Sequence, residues 1–220
     1  VLFRSPKDPA SDILRRLPAR LLAAEPATVA ADTDDVDALV EAVLRLDHSA
    51  LSVQGPPGTG KTYVGSHVIQ RLVAEHGFRV GVVAQSHAVV EHMLGRVIAA
   101  GVPASRVGKA PKDADADVPF TVIPKNGVAA FAAENASTGF VVGGTAWDFS
   151  HEGRVPRGSL DLLVIDEAGQ FSLASTIAVS LAAPRLLLIG DPQQLPQVSQ
   201  GTHPEPVDRS EEHTSELQSH

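Results

Sequence analysis

The sequence predicts an α/β fold in which a parallel, doubly wound sheet carries helices on both faces. Three observations carry that expectation. Five short runs are nearly continuous in apolar residues: ALSVQ from Ala50, RVGVVAQ from Arg79, GFVVGGT from Gly139, LDLLVIDE from Leu160 and RLLLIGD from Arg185. Strands read this way when both of their faces are covered, whereas half-exposed strands alternate apolar and polar residues. Between several of these runs lie segments with apolar residues at helical spacing, as crossover connections require. Finally, the run at Ala50 passes through a Gly/Pro loop directly into a helical segment, the strand–turn–helix of an α/β unit.

Taken in order, Thr33–Asp47 places Val36, Leu39, Val40, Val43 and Leu44 on one helical face, with acids in its first turn. ALSVQ is then a buried strand, followed by a helix over Thr62–His76 that Gly77 stops. RVGVVAQ is the next strand, and AVVEHMLGRVIAAG the next helix, ended by Gly101. Val102–Thr138 has a poor pattern, rich in Ala, Asp, Pro and Lys, and is expected to be loop apart from a short helix near Val128–Asn135. The three remaining runs are strands that end in a glycine or an acid. Ser11–Pro26 mixes Leu, Arg and Pro and reads as a linker or the edge of an upstream domain, so residues 6–32 are set apart from a main domain over 33–208.

The bulk numbers narrow the class. The chain has 220 residues, 43% of them hydrophobic, enough for one domain with a sizeable core. It has no cysteine, which excludes disulfides and cysteine-ligated metals and fits a reducing, cytoplasmic setting. No apolar run approaches the roughly 20 residues that span a bilayer. A formal charge of −8 argues against binding nucleic acid over the whole surface, though not against a local basic groove. The two ends do not match the rest. The tail RSEEHTSELQSH, Arg209–His220, back-translates in one frame to a common sequencing adapter, and the head VLFRS, Val1–Ser5, to the end of the complementary adapter. Both are therefore expected to be translated artefact, and the natural protein is expected to continue beyond each.

The stretch GPPGTGKT satisfies G-x-x-x-x-G-K-[ST] in full, with a strand before it and a helix after it. Gly55, Pro56, Pro57, Gly58, Thr59, Gly60, Lys61 and Thr62 would curl so that successive N–H groups meet phosphate oxygens at a helix N-terminus. Lys61 would reach the β and γ phosphates of a nucleoside triphosphate, and the Thr62 hydroxyl would ligate Mg²⁺. The plainer reading, a Gly-rich turn with a surface lysine, does not explain the complete spacing.

LLVIDEAGQ puts Asp166 and Glu167 at the carboxyl end of a strand, where open α/β sheets bind ligands. Asp166 can hold Mg²⁺, and Glu167 can orient and deprotonate an attacking water. As a bare pair they read equally well as a helix cap; with the phosphate loop upstream the site reading prevails. RLLLIGDPQQLP repeats the geometry. Its strand can lie beside the loop strand, bringing Gln194 towards the γ phosphate as a sensor whose contact changes when that phosphate leaves.

In order, GPPGTGKT, VVAQSHAVVEHML, VVGGT, VIDEAGQ and IGDPQQLP resemble motifs I, Ia, Ic, II and III of superfamily 1 helicases. The wording is similar to the nonsense-decay branch and to bacterial proteins in which such a helicase follows a RecB-like nuclease domain. The resemblance implies the first RecA-like motor domain of a P-loop NTPase, binding ATP and Mg²⁺ against a second such domain. It gives Lys61, Thr62, Asp166, Glu167 and Gln194 the ATPase roles. It also implies that Gln170 links nucleotide to strand, and that Ser86, His87 and Thr145 touch single-stranded DNA or RNA. Each of those hydroxyls reads equally as a loop cap. Trp147 is expected in the core, with stacking on a base as its other reading.

Some features depart from the pattern. Thr33–Asp47 offers no Gln to read adenine, Gln197 stands where motif III has its second proline, and the later motifs with their γ-phosphate arginines lie outside the sequence. Such an arginine is worth about 10³–10⁵ in rate, so this chain is expected to bind Mg-ATP but turn it over slowly. Two other functions fit parts of the pattern: a P-loop ATPase acting on protein partners, and a nucleotide-binding module that signals by binding alone.

Overall fold

The computed structural model describes residues 7–22, 35–54, 60–111 and 117–190. The apolar runs form a parallel sheet. Its strands are β1 (Ala50–Gln54), β2 (Arg79–Ala84), β3 (Val107–Lys109), β4 (Thr121–Val122), β5 (Phe140–Thr145), β6 (Leu162–Asp166) and β7 (Leu186–Gly190). Across the sheet they lie in the order β1-β7-β6-β2-β5-β3-β4, every pairing parallel. β6 and β7 are buried at every residue, which is why neither alternates in sequence.

Successive side chains nevertheless go to opposite faces, and each face has its own core. Leu162, Val164, Leu187 and Ile189 enter one cluster; Leu163, Ile165, Leu186 and Leu188 enter the other. The first is covered by α2 (Val36–Arg45), α3 (Lys61–His76) and α4 (His87–Ala99), through Leu39, Val43, Val68, Leu72, Val90 and Leu94. The second is covered by α5 (Val128–Glu134), α6 (Ala146–Ser150) and α7 (Leu173–Val179), through Phe131, Phe149 and Val179. The expected parallel sheet with helices on both faces is therefore the observed one. Gly77 ends α3 in the left-handed conformation, φ +64°, as its position in the sequence suggested.

The expectation of mostly loop over Val102–Thr138 needs correction. Although α5 falls where the short helix was placed, this stretch also contributes β3 and β4, which extend the sheet beyond β5. Strands of three and two residues, one carrying Gly108 and Lys109, are too short to show an apolar run. The sequence also gave no sign of α1 (Pro9–Leu14), where Asp8 caps the first turn by accepting from the Ser11 amide. The buried Asp12 of α1 accepts from the Ser49 hydroxyl (2.7 Å) and pairs with Arg20, whose guanidinium also reaches the Asp47 carbonyl (3.0 Å). Among the described residues no helix is long and apolar enough to cross a membrane.

Candidate active site

Parallel pairing brings every strand's carboxyl end to the same edge of the sheet. Gln54, the last residue of β1, lies opposite Gly190 of β7, and Asp166, the last of β6, lies opposite Ile189. The third strand therefore does lie beside the phosphate-loop strand, between it and the acidic pair. Gly55–Thr59 and Gln194 fall outside the described residues, as do Gln197, Val1–Ser5 and Arg209–His220. Gly60 is described and is left-handed, φ +83°, so the chain turns there directly into α3 at Lys61 and Thr62. Among the described residues the first turn of α3 has neither a side-chain cap nor an acid of its own, which suits its positive end to an anion.

Asp166 is 5% exposed and accepts a hydrogen bond from the Glu167 amide (3.0 Å). Burial pushes its carboxyl up to about 6; the Glu167 amide lowers it, the Glu167 charge raises it and Lys61 lowers it. Glu167 sits at φ +54°, a left-handed conformation that costs a non-glycine residue about 1–3 kcal/mol. That turn takes the chain out of β6 into the short 3₁₀ turn Ala168–Gln170, anchored behind by the fully buried Phe171.

Farther along the edge, the Gln85 side-chain amide donates to the Gln170 carbonyl (2.7 Å), tying the turn after β6 to the end of β2. Gln85 lies within VVAQSHAVVEHML, but no local pattern marks it for this bond. Ser86 is exposed and caps α4, accepting from the Val89 amide (3.3 Å). His87 is half-buried, and its Nδ1 accepts from Lys109 Nζ (2.9 Å), because an ammonium only donates. Lys109 is 0% exposed and also donates to Glu91 Oε1 (2.9 Å) and the Ala110 carbonyl (3.0 Å). It lies in the stretch expected to be loop, so this buried cation was invisible to the pattern.

Thr145 starts α6 and is committed within the protein. Its amide and its hydroxyl both donate to Asp148 Oδ2, each at 2.9 Å, and Arg154 pairs with the other carboxylate oxygen. Burial raises the Asp148 carboxyl, but the bonds from Thr145 and Arg154 outweigh it and hold the group below its ordinary range. Trp147 was expected in the core and is instead 67% exposed; Phe149, two residues on, is the aromatic that α6 buries. Which face of a one-turn helix a side chain occupies, rather than its type, decides its burial here.

Comparison with known proteins fits this geometry. A family model described as an AAA domain matches residues 33–220. The chain belongs to the AAA domain family. In motif order it resembles the first RecA-like domain of superfamily 1 helicases, and two curated relatives carry helicase in their names. It is 27% identical over 173 residues to the DNA replication ATP-dependent helicase/nuclease JHS1 of Arabidopsis thaliana, covering 78% of this chain and 13% of that protein. It is 28% identical over 161 residues to the DNA replication ATP-dependent helicase/nuclease DNA2 of Saccharomyces cerevisiae, covering 71% of this chain and 10% of that one. The matched part is thus about a tenth of the length of these relatives. Among solved structures, the Arterivirus nonstructural protein 10 helicase in complex with DNA has a TM-score of 0.47 at 20% identity, covering 70% of this chain and 31% of that one. Bacteriophage T4 UvsW has a TM-score of 0.49 at 13% identity, covering 82% and 33%.

The donor set of this AAA domain suits a hard cation. The described residues hold no cluster of three or more His, Cys, Asp or Glu side chains that could cage a metal. Near Lys61 they offer one buried carboxylate, Asp166, whose proton affinity is raised first by its burial. Magnesium is commonly bound by one or two protein oxygens together with substrate phosphates and waters, and dehydrates reluctantly. Asp166 and the Thr62 hydroxyl fit that requirement.

Proposed function

We propose that the protein containing this domain hydrolyses Mg-ATP and uses the energy to move along single-stranded DNA or RNA. One observation carries the reading: the register of β1, β7 and β6 brings Gln54, which leads into the phosphate loop, Gly190 and Asp166 together on one edge of the sheet. In this reading Gly55–Thr62 and the N-terminus of α3 cradle the phosphates, and Lys61 binds the β and γ oxygens. Thr62 and Asp166 hold Mg²⁺, which when bound neutralises phosphate charge. Glu167 orients a water and takes its proton as the bond to the γ phosphorus forms and the bond to the leaving oxygen breaks. Gln194 reports the loss of the γ phosphate.

The single strand lies farther along the same edge, past Ser86, His87 and Thr145, and the Gln85–Gln170 hydrogen bond connects the two places. A second RecA-like domain supplies arginines to the nucleotide, and a RecB-like nuclease domain is a fitting neighbour, since both curated relatives are named helicase/nuclease. The cytoplasm, or wherever the cell keeps the nucleic acid, is the compartment that a substrate of this class requires.

The test is Glu167→Gln in the intact parent protein. Single-strand-stimulated ATP hydrolysis should fall by about 10²–10⁴-fold while ATP binding is retained. Hydrolysis unchanged by the substitution would remove Glu167 from the chemistry. Hydrolysis indifferent to single strands would favour an ATPase acting on protein partners, a reading to which the net charge of −8 lends some weight.

A further inference from the structure

The geometry points to Trp147 as a stacking platform for an unpaired base, an inference that rests on the strand-binding reading above. At 67% exposed, Trp147 shows more of itself than any other large apolar side chain among the described residues. A single exposed apolar residue is ordinary on a protein surface; what sets this one apart is the rigid frame that presents it. The surrounding structure holds it firmly in that position. α6 has five residues, too few for a helix to persist unaided. It is fixed by the two bonds from Thr145 to Asp148, by the Arg154–Asp148 pair, and by Phe149, 3% exposed beneath it. The absence of a side chain at Gly144 lets α6 close on the sheet: a Cβ there would lie 3.0 Å from Asp148 Cβ and 3.1 Å from Phe149 Cε2. None of these restraints needs a tryptophan at position 147.

The occupant follows from place and charge. Thr145 is the register partner of Ala84, so Trp147 and the exposed Ser86 each leave the sheet two residues beyond one pairing. β5 lies two strands from β6, which puts it about 10 Å along the edge from the Asp166 strand. The acids of this segment are neutralised, Asp148 by Arg154 and Glu152 by Arg157, so a phosphate chain meets no uncompensated negative charge from them. The His151 ring stands 6.5 Å from the indole, tilted 50°, and adds a second aromatic surface. An indole face accepts any base but only an unpaired one, because in a duplex the faces are stacked away. The Thr145 hydroxyl donates to Asp148, so stacking, rather than that proton, holds the strand here.

Trp147 is the sole tryptophan in the chain, so its emission reports this site alone. Titrating the 220-residue chain with a fluorescein-labelled oligothymidylate yields anisotropy for binding and, with an unlabelled copy, tryptophan quenching for stacking. Binding should quench the emission, and an abasic oligonucleotide should not. Trp147→Ala should weaken oligothymidylate by about 5- to 150-fold, the range stacking carries per base, while Trp147→Phe retains most of the affinity. Binding without quenching, with Trp147→Ala as tight as the parent, overturns the proposal, leaves the strand reading intact and marks the indole as a protein contact. If neither this chain nor the intact parent binds any oligonucleotide, the strand reading falls and the proposal with it; if only the parent binds, the Trp147→Ala comparison is read there by anisotropy, and unchanged affinity overturns the proposal.

Discussion

Strand β6 has an aspartate at each end, and the two are treated in opposite ways. Asp161, just before the strand, receives the Arg79 guanidinium on both oxygens (2.9 and 2.7 Å) and the Arg79 amide (2.9 Å). Burial raises its carboxyl, but those bonds win and the group is held below its ordinary range. Asp166, five residues on, is buried with one backbone amide and is pushed up to about 6. The amino edge of the sheet is closed on itself: Arg185 also donates to the Leu46 carbonyl (3.1 Å) and lies over the Phe78 ring. The carboxyl edge keeps a charge short of partners, a strained Glu167 and an uncapped helix start. We read one edge as organised for stability and the other for ligands, so similar substitutions should have different consequences at the two.

The largest effect belongs to Gly139→Ala on the amino side. Gly139 has φ +70°, and a Cβ there would sit 2.6 Å from the Gly77 carbonyl carbon and 2.7 Å from the Phe78 carbonyl oxygen. Backbone cannot yield as a side-chain tip does, so the expected loss is about 3–4 kcal/mol, measured by urea unfolding. A loss below about 1 kcal/mol would show that this edge relaxes freely and would weaken the contrast.

Asp166→Asn should change stability in the opposite direction. In the metal-free chain the carboxyl is protonated in both states below about pH 4, so no penalty exists there. Between about pH 4 and 6 the unfolded chain ionises first, and stability falls as pH rises; above about 6 the full penalty, about 3 kcal/mol, is in place. Asn keeps the shape without the charge. In chelator at neutral pH the variant should therefore be more stable than its parent by up to that amount, the two converging near pH 4. Saturating Mg-ATP should then stabilise the parent far more than the variant, by about 2.7 kcal/mol at a hundredfold excess over Kd. A destabilised metal-free variant would mean the folded chain already compensates this charge.

Asp161→Asn supplies the matched control. It strands Arg79, which remains partly solvated, so a smaller loss of about 1–2 kcal/mol is expected at neutral pH. Asp161 has a lowered pKa, so its stabilisation is present above the unfolded value and disappears as pH falls through the folded one. The pH profile of the difference between parent and variant therefore slopes opposite to that of Asp166→Asn. Matching slopes would erase the distinction between the edges.

The sequence made these features legible to different degrees, for physical reasons. Runs such as LLVID and LLLIG are apolar because both faces are covered, so the sheet and its direction could be read from them. Lys61, Thr62, Asp166 and Glu167 stand out in the sequence by type and spacing, and the structure puts Lys61 at a helix start and Asp166 at a strand's carboxyl end. Lys109 could not: its burial depends on Glu91 and His87 from α4 meeting a strand three residues long. Arg79 and Asp161 lie 82 positions apart, and no local pattern pairs them. Trp147 was misread because exposure depends on which face of α6 Phe149 occupies.

The smallest effect on stability, and the closest comparison, comes from Gly60→Ala. Gly60 shares with Gly139 a left-handed conformation, φ +83° against +70°, so both alanines bear a similar conformational cost of about 1 kcal/mol. They differ in surroundings: among the described residues a Cβ at Gly60 meets nothing within 4 Å, whereas at Gly139 it strikes backbone. Unfolding should therefore register only about 1 kcal/mol for Gly60→Ala. Relieving the strain moves the turn that sets Lys61 and the first amides of α3, so ATP affinity, read by titration of a fluorescent analogue, should fall by more than the stability loss alone predicts. Equal losses in the two variants would place the same rigidity at both edges; a Gly60→Ala chain that binds ATP normally would free the phosphate loop from its left-handed turn.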